Sequence, residues 1–306
     1  MNKKIKHLIS LFLLLSAAVT AQNTDKFTGS LLWQISGNGL EKPSYVFGTH
    51  HLAPLSFMDE VTGLKEAVEE AQQVVGELDM NDMGTMQMKL MQAAALPDSI
   101  TYNDLLNEED YKRLNDGLVN VLGLGLNNIG RMKPGMISSL MSVNLYQKAY
   151  PDIPVTAEGI DRYLQVQALE NEKTVLGLET VEDQIYALFD AEPLEAQVAG
   201  MVCAFSHGDY VERSVNMLKQ LTTFYYAGDI YGMYSISIDN PDEPCPMTEA
   251  SQHAILNHRN ENWLKKLPGI MAEKPSLVAV GALHLAGEEG ILYGLAQQGY
   301  TIEAVK

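Results

Sequence analysis

Two histidines occupy matching positions near opposite ends of the chain. His51 lies three residues after Gly48, and His284 lies three residues after Gly281. Each glycine follows a short apolar run of the β-branched and aromatic or small residues that are typical of a buried strand. Side chains that follow the strands of an α/β protein converge in one crevice. The repeated Gly-x-x-His spacing therefore predicts one site that is built from both ends of the chain.

A carboxylate completes this set of residues. Glu77 follows another strand-like run, and with His51 and His284 it supplies two imidazoles and one carboxylate. This is a recurrent ligand set for a catalytic divalent metal ion that keeps positions open for water and substrate. Such an ion lowers the pKa of its bound water and polarises a carbonyl oxygen, and the hydrolysis of a peptide or an ester needs both effects. The three residues are distant in sequence and no His-Glu-x-x-His helix is present, so histidines satisfied in the core or in loops are the alternative.

Other polar residues are candidates for supporting roles. Arg259 and Asn260 lie on a predicted helix, where they can present donors to a developing oxyanion, and a surface salt bridge is the alternative. Glu179 follows a predicted strand and can act as a general base or as a partner of the ligands. His253 and His258 are five residues apart on a predicted helix, so we expect them to point to different faces.

The motifs of several other enzyme classes are not found in the sequence. There is no Gly-x-Ser-x-Gly nucleophile elbow, no known motif around either cysteine, and no glycine-rich phosphate loop. The formal net charge of −18 argues against nucleic acid and anionic membrane surfaces as partners, because both require basic patches. These observations favour a metal-assisted reaction over the serine, cysteine and phosphate chemistries.

The first 21 residues have the composition of a secretory signal peptide. Three lysines precede an apolar run from Leu8 to Val19, and small residues follow up to Ala21. An uncleaved anchor is the alternative, but a spanning helix needs about 20 apolar residues. We therefore expect an exported protein, periplasmic or extracellular, with a mature chain of residues 22–306 that contains no membrane span. Without the three lysines, 18 basic residues face 39 acidic ones, a net charge of about −21.

The chain contains two cysteines, Cys203 and Cys245, and both belong to the predicted exported part. A disulfide is permitted in an oxidising compartment. Two buried free thiols fit the sequence equally well. The sequence leaves this choice open.

The order of elements predicts an α/β fold. Strand-like runs occur near the beginning, in the middle and near the end of the chain, and long helical patterns separate them. We predict a mixed β-sheet flanked by helices, with a helical insertion in the middle and no linker that would divide residues 22–306 into separate domains. A strand, a Gly-x-x-His motif and a helix occur in both halves, which is consistent with a divergent internal duplication.

An ordered set of short motifs resembles the TraB/GumN family, which is related to the Tiki metalloproteases. The motifs are Ser44–His51, Val75–Asp79, Gly159–Asp161, Leu178–Thr180 with Gln184, Arg259-Asn260-x-x-Trp263, Val280–Leu285 and Gly299–Tyr300. They follow the family's order and cover nearly all of the predicted mature chain. The resemblance implies a compact α/β domain whose active centre contains the two Gly-x-x-His histidines and one glutamate.

Carried over by position, the implied centre consists of His51, Glu77 and His284. His50 occupies a variable position of the motif and is expected to be a neighbour.

The resemblance implies a metal-dependent peptidase that uses manganese or cobalt, with zinc as a further option, and a peptide or protein substrate. In this hypothesis Arg259 and Asn260 position the substrate or stabilise the tetrahedral intermediate. A non-catalytic peptide-binding protein of the same fold is the alternative, and an esterase or other hydrolase is a third option. The sequence does not determine the oligomeric state.

Overall fold

The computed structural model describes residues 27–153 and 159–306. The predicted signal peptide, residues 1–21, lies outside these ranges. Within the described residues no helix is long and apolar enough to cross a membrane.

The core of the fold is a six-stranded mixed sheet with the order β4-β3-β5-β2-β1-β6. The strands are β1 Leu32–Gly37, β2 Ser44–Thr49, β3 Gln73–Gly76, β4 Thr174–Gly177, β5 Ser276–Gly281 and β6 Tyr300–Ala304. Strands β4, β3, β5 and β2 are mutually parallel, whereas β1 runs antiparallel to both β2 and β6. The predicted mixed sheet flanked by helices is therefore confirmed, and the duplication stays a prediction.

Helices surround this sheet and fill the long connections between the parallel strands. They are α1 Leu64–Glu70, α2 Met83–Ala93, α3 Tyr102–Leu105, α4 Glu108–Leu122, α5 Leu126–Ile129, α6 Pro134–Ala149, α7 Ile160–Glu170, α8 Val181–Ile185, α9 Leu194–Ser206, α10 Tyr210–Tyr226, α11 Ile230–Ser237, α12 Glu249–Gln252, α13 His258–Glu273 and α14 Ile291–Gln297.

Two hydrophobic cores hold these elements together. The larger core packs both faces of the sheet, and its central strand β5 is buried along nearly its whole length. This burial explains the continuous apolar composition of the strand, as expected for a parallel strand that is covered on both faces. A second core lies among α3, α4, α6, α9 and α10, so the middle of the chain forms a helical lobe with its own packed interior.

Some predicted helices differ from the observed ones for local reasons. The helical spacing of Val61, Leu64, Ala67 and Val68 predicts one helix from Met58 to Gln72, whereas the structure has a 3-10 helix, Leu55–Glu60, followed by helix α1. Gly63 separates them because its φ of 76° is the left-handed conformation that interrupts a helix. By contrast, α4 ends at Leu122 as predicted, where Gly123 adopts the left-handed conformation of a helix cap.

The structure decides the question that the sequence left open about the cysteines. Cys203 on α9 and Cys245 in the loop before α12 form a disulfide, with their Cα atoms 5.9 Å apart. The bridge joins residues 42 positions apart in the sequence and ties this loop to the helical lobe. The loop leads directly into the helical segment that carries Arg259.

Replacing both Cys203 and Cys245 by serine should lower the free energy of unfolding by about 2–4 kcal/mol, because the bridge restricts the unfolded chain. Denaturant unfolding of the wild type and the double variant measures this difference. A reductant should destabilise the wild type and leave the double variant unchanged. Equal midpoints for the two oxidised proteins would contradict the prediction.

Candidate active site at the carboxyl ends of the parallel strands

The four parallel strands end at one edge of the sheet, and each delivers a candidate residue there. In the spatial order β4, β3, β5, β2, the strands are followed by Glu179, Glu77, His284 and His51. The backbone holds the two glutamates side by side, since the Glu179 N–H donates to the Glu77 carbonyl over 3.0 Å. The predicted convergence of residues from both ends of the chain therefore follows from the strand order.

The two Gly-x-x-His motifs pack directly against each other. Thr49 on β2 pairs with Gly281 on β5 in the parallel ladder. A Cβ atom at Gly48 would lie 3.1 Å from the Cα atom of Ala282, and one at Gly281 would lie 3.3 Å from an oxygen of Glu77. Glycine is favoured at both positions, because a Cβ atom would be in tight contact with the other motif at Gly48 and with Glu77 at Gly281.

Glu77 is buried and accepts hydrogen bonds with both carboxylate oxygens. Oε1 accepts from the Gly281 N–H over 2.9 Å, and Oε2 accepts from Nη2 of Arg259. The amide of Gln184 lies 3.5 Å from Oε2. Burial opposes ionisation, but the charge of Arg259 and the Gly281 N–H favour the carboxylate, and the pKa of Glu77 is below its ordinary value. Glu77 is therefore an ionised carboxylate.

Arg259 uses all five of its N–H groups inside the protein. Nε donates to Glu179 over 2.9 Å, and Nη2 donates to Glu179 over 2.7 Å and to Glu77. Nη1 donates to the Ile255 carbonyl over 3.1 Å and to Nε2 of His284 over 3.0 Å. In this arrangement no N–H of the guanidinium is left for a substrate, so Arg259 acts as a clamp that holds the two glutamates and the histidine together.

Glu179 is the second carboxyl group of the cluster. It accepts the bidentate pair of bonds from Arg259 and a further bond of 3.2 Å from the indole N–H of Trp263. The guanidinium also lies 4.7 Å from the centre of the Trp263 ring. Burial raises the pKa of Glu179, and the bonds from Arg259 offset part of this rise. One guanidinium is thus shared by two buried carboxyl groups, which leaves the cluster suited to an additional positive charge.

His284 is a buried, neutral imidazole with a defined tautomer. Nε2 accepts from Arg259, so Nδ1 carries the proton and donates to Oδ1 of Asn260 over 2.7 Å. The amide nitrogen of Asn260 donates to the backbone carbonyls of His284 and Glu289. Burial lowers the pKa of His284 below its ordinary value. Asn260 therefore orients His284 and has no amide proton left for a substrate.

His51 lies at the exposed side of the cluster, with 69% of its side chain accessible to solvent. Its Nδ1 lies 3.0 Å from Oδ2 of Asp161, and Oδ1 of the same carboxylate accepts from the hydroxyl of Thr49 over 2.6 Å. The hydrogen bond to Asp161 raises the pKa of His51 to about 9. The Asp161 carboxylate orients the exposed imidazole of His51 by binding its Nδ1, so Nε2 points away from Asp161.

His50, unlike the exposed His51, is packed among aromatic side chains. Its ring lies between the rings of Tyr146 and Tyr225, and its Nδ1 accepts from the Leu52 N–H over 3.1 Å. Burial lowers the pKa of His50 to about 4. The expectation that His50 is a neighbour of the candidate ligands agrees with this position among aromatic side chains.

Replacing Asp161 by asparagine should lower the pKa of His51 from about 9 towards the ordinary histidine range, because the negative charge that raises it is removed. NMR titration of the imidazole in the metal-free protein measures this change. In the wild type the pair stabilises the fold fully below the ordinary histidine pKa, and this stabilisation disappears as the pH rises through about 9. The Asp209→Asn variant, which removes an exposed partner of Arg213, should leave His51 unchanged. An unaltered His51 pKa in Asp161→Asn would contradict the prediction.

The donor set of His51, Glu77 and His284 fits a divalent metal ion in its chemistry. In both histidines Nδ1 is engaged by a side-chain oxygen, of Asp161 and of Asn260, which is the arrangement that leaves Nε2 as a ligand atom. Two features stand apart from a completed site. Nε2 of His284 accepts from Arg259, and the donor atoms of His51, Glu77 and His284 do not all lie within 4.8 Å of one another. Ion binding therefore requires Arg259 to release this nitrogen.

Within residues 27–153 and 159–306, one group of three potential ligands already has donor atoms within 4.8 Å of one another. It consists of Cys203, His207 and Cys245, and its two sulfurs are bonded to each other. This group is therefore not a candidate metal centre while the disulfide is intact.

Several residues of the site were not assigned a role from the sequence. Asp161 and Trp263 were noted only within the family motifs, and Glu179 was left between two roles. The position of Asp161 two residues after Gly159, within a motif that resembles the family, was the available signal. Nothing local to Asp161 indicates His51 as its partner, since the two residues are 110 positions apart.

The prediction that His253 and His258 point to different faces is wrong. Residues His253–Asn257 form a π-helical turn, in which the His258 N–H donates to the His253 carbonyl. This i→i+5 bond widens the turn, so the residue five positions ahead lies beside the first one. The two imidazole rings are consequently 5.8 Å apart.

Comparisons with known proteins identify a family and several relatives of this chain. A sequence model described as the TraB/PrgY/gumN family matches residues 31–304. Metalloprotease TIKI1 of Danio rerio is 24% identical over 90% of this chain and 63% of the relative. Metalloprotease TIKI2 is 23% identical in Danio rerio, over 92% of this chain and 62% of the relative, and 24% identical in Xenopus tropicalis, over 90% and 59%. The chain therefore spans less than two thirds of the length of these relatives. No solved structure matches the chain at a comparable level of significance.

Proposed function

The chain belongs to the TraB/PrgY/gumN family, and on this premise we propose that it is an exported metal-dependent hydrolase that cleaves peptides or proteins. The observation that carries the proposal is that both Gly-x-x-His histidines and Glu77 follow adjacent parallel strands at one edge of the sheet, with Nδ1 of each histidine held by a side-chain oxygen. The similarity to metalloproteases of Danio rerio and Xenopus tropicalis supports the same reaction class.

His51, Glu77 and His284 would hold the ion. Manganese or cobalt is proposed, with zinc as a further option, because imidazole and carboxylate ligands suit all three. When bound, a divalent cation polarises the scissile carbonyl and lowers the pKa of an adjacent water molecule. Glu77 is suited to this site because it is ionised, and it would ligate the ion or accept the proton of the attacking water.

The remaining polar residues would act by positioning these groups. Asn260 fixes the tautomer of His284 through Nδ1 and thereby leaves Nε2, which lies 4.0 Å from Oε1 of Glu77, as the acceptor. Arg259 holds Glu77 against Glu179, and the N–H that it donates to His284 is the one it would release when the site is loaded. Once released, this N–H is placed to stabilise negative charge that develops on a substrate carbonyl.

The cellular location belongs to the same proposal. We infer export from the lysine-rich start and apolar run of residues 1–21. The substrate would then be a peptide or protein met outside the cytoplasm, and the strong negative charge of the chain favours cationic over nucleic-acid partners.

The proposal is tested on the purified mature protein after treatment with a chelator. Mn²⁺, Co²⁺ or Zn²⁺ is then added separately together with a diverse peptide mixture, and cleavage is followed by mass spectrometry. We expect cleavage that depends on an added ion and disappears when the chelator is restored. Absence of cleavage and of ion binding with all three ions would overturn the proposed reaction.

One observation favours the alternative of a non-catalytic peptide-binding protein. Arg259 donates to Nε2 of His284 and pairs with Glu77, so these two residues are also explained as members of a buried structural ion-pair network. The His284→Ala variant distinguishes the two functions. A binding protein should retain its affinity for peptides in this variant and show no metal-dependent turnover, whereas the hydrolase should lose turnover.

A further inference from the structure

Two π-helical turns flank the helices that carry the site. One, Tyr186–Asp190, follows α8, and the other, His253–Asn257, joins α12 to α13. These helical segments contact the catalytic cluster on their inner faces. Gln184 on α8 approaches Glu77, and the carbonyl of Ile255 in the second π turn accepts from Arg259. Such turns occur frequently at functional sites. The outer faces are not used by the cluster.

A cavity of about 710 Å³ opens on these outer faces. Its lining consists mainly of side chains with nitrogen or oxygen atoms, and three alanines provide the remainder. The polar lining residues are Tyr186, Glu249, Gln252, His253, Asn257 and His258. None of the residues that we place in the catalytic cluster lines this cavity, so it is a separate feature of the molecule.

His253 and His258 lie side by side in this cavity. The π turn brings their rings to a centroid distance of 5.8 Å, with the ring planes inclined by 36°. Both side chains are exposed and free of the packing that fixes the histidines of the cluster. Glu249 lies four residues before His253, one helical turn away, and lines the same cavity. The imidazoles of His253 and His258 and the carboxylate of Glu249 thus line one open, solvated cavity.

We propose that His253 and His258 form a second metal site, which binds a transition-metal ion such as Ni²⁺, Cu²⁺ or Zn²⁺. Imidazole nitrogens are common protein ligands of these ions, and both imidazoles are exposed, so an ion can reach them from the solvent. Glu249 or water supplies the further ligands. Nε2 of His258 accepts from the Asn262 amide over 3.1 Å, a single exposed contact that an ion at this nitrogen would replace.

Binding at this site has a structural consequence for the rest of the helix. An ion held by both histidines spans the π turn and stabilises it against conversion to a regular helix. The same turn contains Ile255, whose carbonyl accepts from Arg259. The second site thereby supports the position of the guanidinium, although it does not depend on the proposed peptidase activity.

The test is a calorimetric titration of the metal-free mature protein with Ni²⁺, combined with thermal unfolding with and without the ion. The wild type is compared with His253→Ala, His258→Ala and the matched control His207→Ala, which removes another exposed histidine. We expect both cavity variants to bind one ion fewer than the wild type, or to bind it at least about tenfold more weakly, because chelation by two linked groups is lost. The increase in Tm produced by Ni²⁺ at this site should also disappear, and His207→Ala should behave as the wild type.

Two results would overturn the second site. One is unchanged Ni²⁺ stoichiometry and affinity in both cavity variants, and the other is an equal loss in His207→Ala, which would indicate unspecific binding to exposed histidines. If an alanine variant fails to fold by circular dichroism, His253→Gln and His258→Gln take its place. The residues of the catalytic cluster are intact in all variants, so failure of the proposed metal-dependent reaction remains distinguishable from failure of this site.

Discussion

Replacing Arg259 by glutamine should lower the free energy of unfolding by about 3–5 kcal/mol, because it leaves buried charges without their partner. The guanidinium is the cation that faces both Glu77 and Glu179, and both carboxyl groups are buried. Glutamine cannot reproduce five N–H donors or the positive charge. The Ile255 carbonyl and Nε2 of His284 lose their donor as well. The expected loss is large relative to the total stability of most domains.

The pH dependence of this loss identifies its cause. In the wild type the pKa of Glu77 is lowered, so the carboxylate stabilises the fold above its ordinary pKa and ceases to do so as the pH falls through the lowered value. In Arg259→Gln burial is no longer opposed by the guanidinium, so the pKa of each carboxyl group should rise. The variant should therefore be most destabilised at neutral and alkaline pH, and the difference from the wild type should shrink in acid. Urea unfolding at a series of pH values measures both curves.

A surface arginine provides the matched control for this experiment. Arg113 pairs with Glu109, whose side chain is 81% exposed, and with Asp110 on the same helix. Arg113→Gln should change the stability by at most about 1 kcal/mol. Arg259→Lys keeps the charge and loses the planar fork, so its stability should lie between those of the wild type and Arg259→Gln. An Arg259→Gln loss no larger than that of Arg113→Gln, or one that is independent of pH, would contradict the clamp role.

The sheet and the edge where the site lies could be predicted from the sequence for a physical reason. Strands β2 and β5 are short apolar runs that end in glycine, and each is followed by the histidine that it delivers. Burial on both faces and close packing at the strand ends leave strong local signals, since they require apolar side chains and glycine. The predicted position of Glu77 at the end of β3 has the same origin.

The network around these residues was less accessible to sequence reasoning, because its partners are remote along the chain. Arg259 is 182 positions from Glu77 and 80 positions from Glu179, and nothing near it distinguishes a buried clamp from a surface salt bridge. The expected role of Asn260 as a donor to the substrate also depended on contacts that the sequence does not reveal. Both of its amide protons are directed to backbone carbonyls.

The prediction for His253 and His258 was wrong for a different reason, the π turn between α12 and α13. A regular helix over residues 248–267 would direct the side chains of His253 and His258 to different faces. One additional residue in a single turn changes the direction of every side chain on one side relative to the other. The composition of His253–Asn257 gives no indication of such a turn.

Replacing Glu77 by glutamine should reduce metal-dependent hydrolysis by about 10³-fold, within the usual range for the loss of a positioned acid–base group. Glutamine preserves the shape of the side chain, but it removes the negative charge that ligates a cation or accepts a proton. If Glu77 is a ligand, the affinity for the ion should also fall by at least about tenfold, the lower end of the range for outer-sphere partners of metal ligands. The fold should persist, because Arg259 retains its bidentate pairing with Glu179. Calorimetric metal titration and peptide cleavage measure the two effects separately.

The two readouts of Glu77→Gln distinguish the roles left open for this carboxylate. A ligand should lose ion affinity and hydrolysis together, whereas a general base should lose hydrolysis and keep most of its ion affinity. The matched control is Glu182→Gln, which removes an exposed carboxylate paired with Lys89 and should leave both quantities unchanged. Wild-type affinity and wild-type cleavage in a folded Glu77→Gln protein would remove Glu77 from the centre. The hydrolytic mechanism would then have to be assigned to Glu179, the other carboxyl group that Arg259 clamps.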